Sequence, residues 1–157
     1  MTCAPGMKDR GWDRDLRRDL VALTDAYAAG LLVSLLDGPE REALQLSHLE
    51  SMAAAAGLGV AEFPIRDGSV PGSVEALVAL VDRILGAAYA GQTVVIHCRE
   101  GRGRTGLVAA CCLAALGREA GEALAATRSV RAGAVETAEQ AEFVCRFADW
   151  WRRVRRP

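Results

Sequence analysis

The residues best suited to chemistry lie together in Val94-Val-Ile-His97-Cys98-Arg99-Glu100-Gly101-Arg102-Gly103-Arg104-Thr105-Gly106. An apolar run that reads as a strand leads into Cys98, a short loop with glycines follows, and a helical pattern begins at Arg104. A loop at a helix N-terminus gathers backbone N–H groups around one concavity and adds the positive end of the helix dipole, which together make an anion site. A cysteine at the mouth of such a site is stabilised as the thiolate. Arg104, six positions after Cys98, carries a planar fork that holds two oxygens of a phosphoryl group. Gly101 and Gly103 let the backbone turn tightly around the anion, and Thr105 is placed to hydrogen-bond the sulfur. His97 is expected to order the loop and to tune Cys98 through a hydrogen bond. The chemistry that these residue types ask for is attack of sulfur on phosphorus, giving a cysteinyl-phosphate, with the amides of Arg99 to Gly103 and the Arg104 guanidinium stabilising the transition-state charge. Two roles remain to be filled: an acid for the leaving oxygen and a group that positions the hydrolytic water.

The elements that must hold this loop can be read from periodicity. Leu31–Leu36, Val60–Ile65 and Thr93–Cys98 read as short buried strands, with a weaker fourth at Met1–Ala4. Helical patterns cover Asp13–Ala29, Glu40–Ala56 after Pro39, Ser73–Ala90 with Ser73 as its cap, Arg104–Leu116, Gly121–Arg131 and Thr137–Arg155. Phe143, Phe147, Trp150 and Val154 form a docking stripe on the last helix, and Arg152, Arg153, Arg155 and Arg156 close the chain. Strand–helix alternation with buried strands predicts an α/β fold, a parallel sheet of about four strands with helices on both faces and the ligand site beyond the strands' carboxyl ends.

Composition narrows the class. The chain has 157 residues, 51% hydrophobic and 25% charged, which predicts one soluble domain spanning residues 1–157 and argues against disorder. The longest apolar run, Leu107 to Leu116, is too short to cross a bilayer, and the first ten residues lack a secretory pattern. A net charge of −1 gives no bulk attraction to nucleic acid. Five cysteines without a secretion signal point to a reducing cytoplasm. Cys3, Cys111, Cys112 and Cys145 read as core residues and His48 as a surface residue. Lys8 and Arg10 lie in the loop Gly6–Gly11, where the sequence gives no geometry. No Cys-x-x-Cys pair is present, so no metal or cofactor is expected, and the molecule is expected to be a monomer.

His97-Cys98-x5-Arg104-Thr105-Gly106 resembles the signature of the cysteine-dependent protein-tyrosine and dual-specificity phosphatases. Phe63-Pro-Ile-Arg-Asp67-Gly-Ser-Val-Pro71 is similar to the general-acid loop of their compact group, which includes kinase-associated phosphatase, and Leu32 to Asp37 resembles that group's strand before its second helix. The resemblance covers about residues 10–150 and implies a compact three-layer α/β fold. It implies Asp67 as the acid, and the region Val135 to Phe143 as the one that positions the water, through Glu136 or Gln140. The implied substrate is a phosphorylated protein, carrying phosphotyrosine and also phosphoserine or phosphothreonine. Arg99 and Arg102 make the pocket mouth basic, as in lipid phosphatases of the superfamily, so an inositol phosphate is the alternative substrate; Glu100 partly offsets that charge. Two alternatives of another class are a rhodanese-like sulfurtransferase, whose loop is usually one residue shorter, and a non-catalytic phospho-binding module.

Overall fold

In the computed structural model, residues 1–9 and 11–155 are described; Arg10 and Arg156 lie outside them. A small hairpin, β1 (Lys8–Asp9) and β2 (Trp12–Asp13), precedes α1 (Leu16–Tyr27). The sheet is built from β3 (Ala29–Ser34), β4 (Gly59–Glu62) and β5 (Thr93–His97), with α2 (Gly38–Ala43) and α3 (Leu49–Ala55) between the first two and α4 (Val74–Tyr89) before the third. Then follow α5 (Gly103–Ala115), α6 (Ala120–Val130) and α7 (Ala138–Val154).

β3 is central and pairs in parallel with β4 on one side and β5 on the other. Its side chains alternate as a pleated strand requires. Leu31, Val33 and Leu35 enter one apolar cluster with α4, α5 and α7, whereas Leu32 and Leu36 enter a second with α1 and α3. The molecule is therefore three layers, with a parallel sheet of three strands between helices. The expected fourth strand is not formed: Met1–Ala4 makes one isolated bridge, Thr2 to His97, held by Thr2 N–H to Ile96 O at 3.1 Å and Ala4 N–H to Arg99 O at 3.0 Å. Pro5 and the left-handed Gly6 turn the chain away after that contact.

The expected helix over 40–56 is two helices. Gln45 sits at φ 58, which ends α2, and the buried Leu44 and Leu46 anchor the break in the second cluster. On α7 the buried face is Phe143, Val144, Phe147 and Ala148, and Trp151 stacks on Phe147 at 5.5 Å between centroids. Trp150 is only partly covered and Val154 is exposed, so the stripe runs one position off the expected one. Cys3 is only partly buried, because it lines an open groove, and Cys145 is exposed rather than core, because it falls on the opposite face of α7, two positions from both Phe143 and Phe147. Cys111 and Cys112 are buried; burial raises the Cys111 thiol well above its ordinary range and pushes that of Cys112 up to about 12. No helix among the described residues is long and apolar enough to cross a membrane.

Candidate active site

The carboxyl ends of the three sheet strands each deliver one part of a single site. The segment after β3 carries Glu40, the segment after β4 carries Asp67, and the segment after β5 carries Cys98 and Arg104. The pocket is a cavity of about 90 Å³ lined by Asp67, Cys98, Arg99, Glu100, Gly103, Arg104 and Glu136.

Cys98 is buried at the base, and the Gly101 N–H donates to its Sγ at 3.3 Å. That turn needs glycine: Gly101 has φ +71, and a Cβ there would lie 2.2 Å from the carbonyl oxygen of Thr2. The N-terminal segment is thus the back wall of the loop. No side chain caps α5, so the N–H groups of its first turn are left for an anion. Thr105 is fully buried, but its Oγ1 has no hydrogen-bond partner, so the expected bond to the sulfur is not made.

Arg104 is the most heavily engaged side chain. It is 1% exposed, forms a two-pronged ion pair with Glu40 (Nη2 to Oε1 at 2.9 Å), and donates from Nη1 to Ile65 O at 2.9 Å. Its Nη2 also lies 2.9 Å from Oδ1 of Asp67. Burial pulls the guanidinium pKa down, but the Glu40 hydrogen bond, the nearby Cys98 sulfur and the charges of Glu40 and Asp67 outweigh it, and the value stands above the ordinary one. Glu40 was legible in the sequence only as the start of a helix. It is the N3 residue of a capping box with Asp37, and that box fixes the turn from which its carboxylate reaches Arg104.

His97 is fully buried, and its Nδ1 lies 3.2 Å from the Cys98 carbonyl oxygen. Burial, above all, pushes its pKa down to about 4; the Cys98 carbonyl opposes the shift, and the positive charges of Arg104 and Arg41 add to it. The ring is therefore neutral at working pH and donates from Nδ1 to that carbonyl, which orders the loop through the backbone and not through the sulfur.

The two candidates for positioning water part company. The carboxylate of Glu136 closes over the start of α5: a Cβ on Gly103 would lie 2.3 Å from its Oε2. Gln140 is fully buried behind it; its Oε1 accepts from Glu136 N–H at 3.0 Å, and its Nε2 donates to Ser69 O at 3.2 Å. Gln140 therefore ties the loop of Asp67 and Ser69 to the N-terminus of α7, whose Thr137 and Gln140 form a capping box. Glu136 is presented by Val135, a β-branched residue held at φ 56. Arg128 pins that backbone from behind, donating to Ala134 O at 3.2 Å and Val135 O at 3.1 Å.

Of the loop side chains, Arg99 is paired with Asp9 of the hairpin, and Arg102 is exposed with Nη1 3.9 Å from Glu100. The mouth is therefore less basic than the two arginines alone imply.

Residues 6–118 match the family described as "Polymorphic toxin system, DSP-PTPase phosphatase" (Tc-R-P). Among solved structures, Tk-PTP in its active form is 32% identical, with a TM-score of 0.75 over 85% of this chain and 86% of that one. Kinase-associated phosphatase with its catalytic cysteine replaced by serine has a TM-score of 0.88 at 23% identity, over 95% of this chain and 84% of that one. PTPMT1 in complex with PI(5)P has a TM-score of 0.79 at 19% identity, over 88% of both chains.

Proposed function

The chain belongs to the polymorphic-toxin-system DSP-PTPase phosphatases, a family of cysteine-dependent enzymes, and from that premise we propose that it removes phosphoryl groups from phosphorylated proteins, phosphotyrosine above all, through an intermediate on Cys98. The observation that carries this reading is the guanidinium of Arg104, buried and clamped by Glu40, in the same small pocket as the Cys98 thiol and the Asp67 carboxyl.

In the first step Sγ of Cys98 attacks phosphorus and the bond to the leaving oxygen breaks. Two phosphoryl oxygens take the Nε of Arg104, which is buried without a partner, and the Nη2 position that Asp67 holds, and the loop amides take the rest of the charge. The entering phosphoryl group displaces Asp67 from Nη2; the freed carboxylate, which is 65% exposed, takes up a proton from solvent and gives it to the leaving oxygen. In the second step a water held by Glu136 attacks phosphorus, Asp67 takes its proton, and Cys98 leaves as the thiolate. Gln140 and Glu40 do no chemistry; they hold the acid loop and Arg104 in place.

The family assignment decides against the sulfurtransferase and the non-catalytic module. A phosphoinositide, the kind of molecule that PTPMT1 holds as PI(5)P, is supported less well as the substrate, because Arg99 is already paired with Asp9 and Arg102 faces Glu100. The test is phosphate release from phosphotyrosine, phosphoserine and phosphothreonine peptides and from phosphoinositide vesicles, with Cys98→Ser as the blank. Cys98→Ser is expected to lose at least about 10³-fold in kcat while still binding phosphate-bearing peptide. Retained turnover in that variant overturns the mechanism, and release from vesicles alone overturns the substrate class.

A further inference from the structure

Beside the catalytic pocket, and sharing Arg99 and Glu100 with it, lies a larger groove of about 470 Å³ between the phosphate-binding loop, the N-terminal hairpin and the end of α6. Two features of its lining bear on what it holds. One wall is apolar, made by Met7 and by Trp12, an aromatic side chain left 54% exposed. The charged lining among the described residues is Arg99, Arg102 and Arg131 facing Asp9 and Glu100. Arg131 is anchored by donating from Nη2 to the Glu100 carbonyl at 2.9 Å, and its Nε is buried without a partner.

We propose that this groove is a specificity subsite for the residues next to the phosphorylated one, and that it selects peptides carrying an Asp or Glu there together with an apolar side chain. The proposal rests on the protein-phosphatase reading above. The physical case has three parts. The shared lining places the groove where the chain must run once its phosphoryl group sits over Cys98. Three guanidiniums against two carboxylates accommodate one further negative charge, on Arg102 and Arg131, whereas a polyphosphate would crowd Asp9 and Glu100. The apolar wall of Trp12 and Met7 has no use for an inositol ring covered in hydroxyls and phosphates, but it matches an aliphatic or aromatic side chain.

The experiment compares kcat/KM for phosphotyrosine peptides that differ only in the neighbouring residues: Glu and Leu, Glu and Ala, Ala and Ala, or Lys and Leu, placed on either side. The whole chain and two variants, Arg131→Gln and Trp12→Ala, are assayed after their melting temperatures are checked. The expected result is about tenfold higher kcat/KM for the Glu-Leu peptide than for the Ala-Ala peptide, with the Lys-Leu peptide lowest. In Arg131→Gln the Glu-over-Lys preference collapses toward unity. In Trp12→Ala, a change at an exposed position that leaves the fold alone, the preference for the apolar neighbour collapses. Equal turnover of all peptides by the unaltered chain, or preferences that survive both substitutions, overturns the subsite and leaves the phosphatase reading intact. Failure to release phosphate from any peptide, with release from phosphoinositide vesicles, overturns the protein-phosphatase reading and the subsite together.

Discussion

Arg104 carries its own competing anions. Glu40 grips the guanidinium from one side and Asp67 from the other, so the proposed phosphate site is charged, ordered and half occupied before substrate arrives. The two carboxylates are not equivalent. Glu40 is largely buried and fixed in a capping box, whereas the Asp67 side chain is 65% exposed and leaves at little cost. Replacing Glu40 by Gln keeps the shape but removes the charge that orients Arg104, and is expected to lower kcat/KM about 10–100-fold, with Glu40→Asp recovering part of it. A Gln variant with normal kcat/KM would show that Arg104 needs no such partner. Replacing Asp67 by Asn removes the proposed proton donor. An acid works only while protonated, so the unaltered rate falls as pH rises, and the Asn variant is expected to lose that basic limb and to suffer most with poor leaving groups. A pH–rate profile across aryl phosphates of graded leaving-group pKa checks this; an unchanged profile would place the acid elsewhere. Cys98 and Arg104 were legible because their six-residue spacing is itself the chemistry. Glu40 was not, because its partner is 64 positions away and no local pattern records a contact made through the sheet.

At the scale of elements, the loop before α7 carries the least expected feature. Val135 is forced into left-handed backbone, a conformation that β-branched residues rarely adopt, and the surroundings over-determine it: Arg128 holds its carbonyl, and Gly106 of α5 leaves no room, since a Cβ there would lie 2.8 Å from Val135 N. The strain fixes the direction in which Glu136 enters the pocket. Val135→Gly relieves the strain but deletes a buried side chain, so stability is expected to fall by no more than about 2 kcal/mol, while kcat falls as Glu136 loses its bearing. Thermal melting read beside kcat separates the two effects, and an unchanged kcat would mean that Val135 serves packing alone. The positions of strands and helices were legible from apolar periodicity, which a buried sheet imposes directly. The hairpin β1–β2 was not, because its strands are two residues long and too short to show a period. Nor was the break at Gln45, where tertiary anchoring of Leu44 and Leu46 overrides a sequence that reads as helix on both sides.

For the molecule as a whole, the burial of His97 couples the active site to global stability. The folded chain holds this imidazole at a pKa of about 4, whereas the unfolded chain returns it to about 6.5. Between those values the unfolded state binds the proton and the folded state does not. Stability from this group is therefore intact above about pH 6.5 and is lost as pH falls toward 4, by about 3 kcal/mol in total. Urea unfolding at pH 7.5 and pH 5 is expected to show about 2 kcal/mol of that loss, and a His97→Gln variant is expected to show a shallower dependence; an identical slope in the variant would assign the loss to carboxylates alone. A different kind of dependence follows from the N-terminal wall. The oxygen that seats against Gly101 is the backbone carbonyl of Thr2, and every amino acid supplies one. Over evolutionary time the identity of residue 2 is thus free to drift, while its distance along the chain from Ala4 is not. A one-residue insertion or deletion between them moves that carbonyl by about 3.3 Å, more than the loop can follow. Relatives that keep this wall should vary there in letter but never in length, a constraint that shows as missing gaps and not as conserved residues.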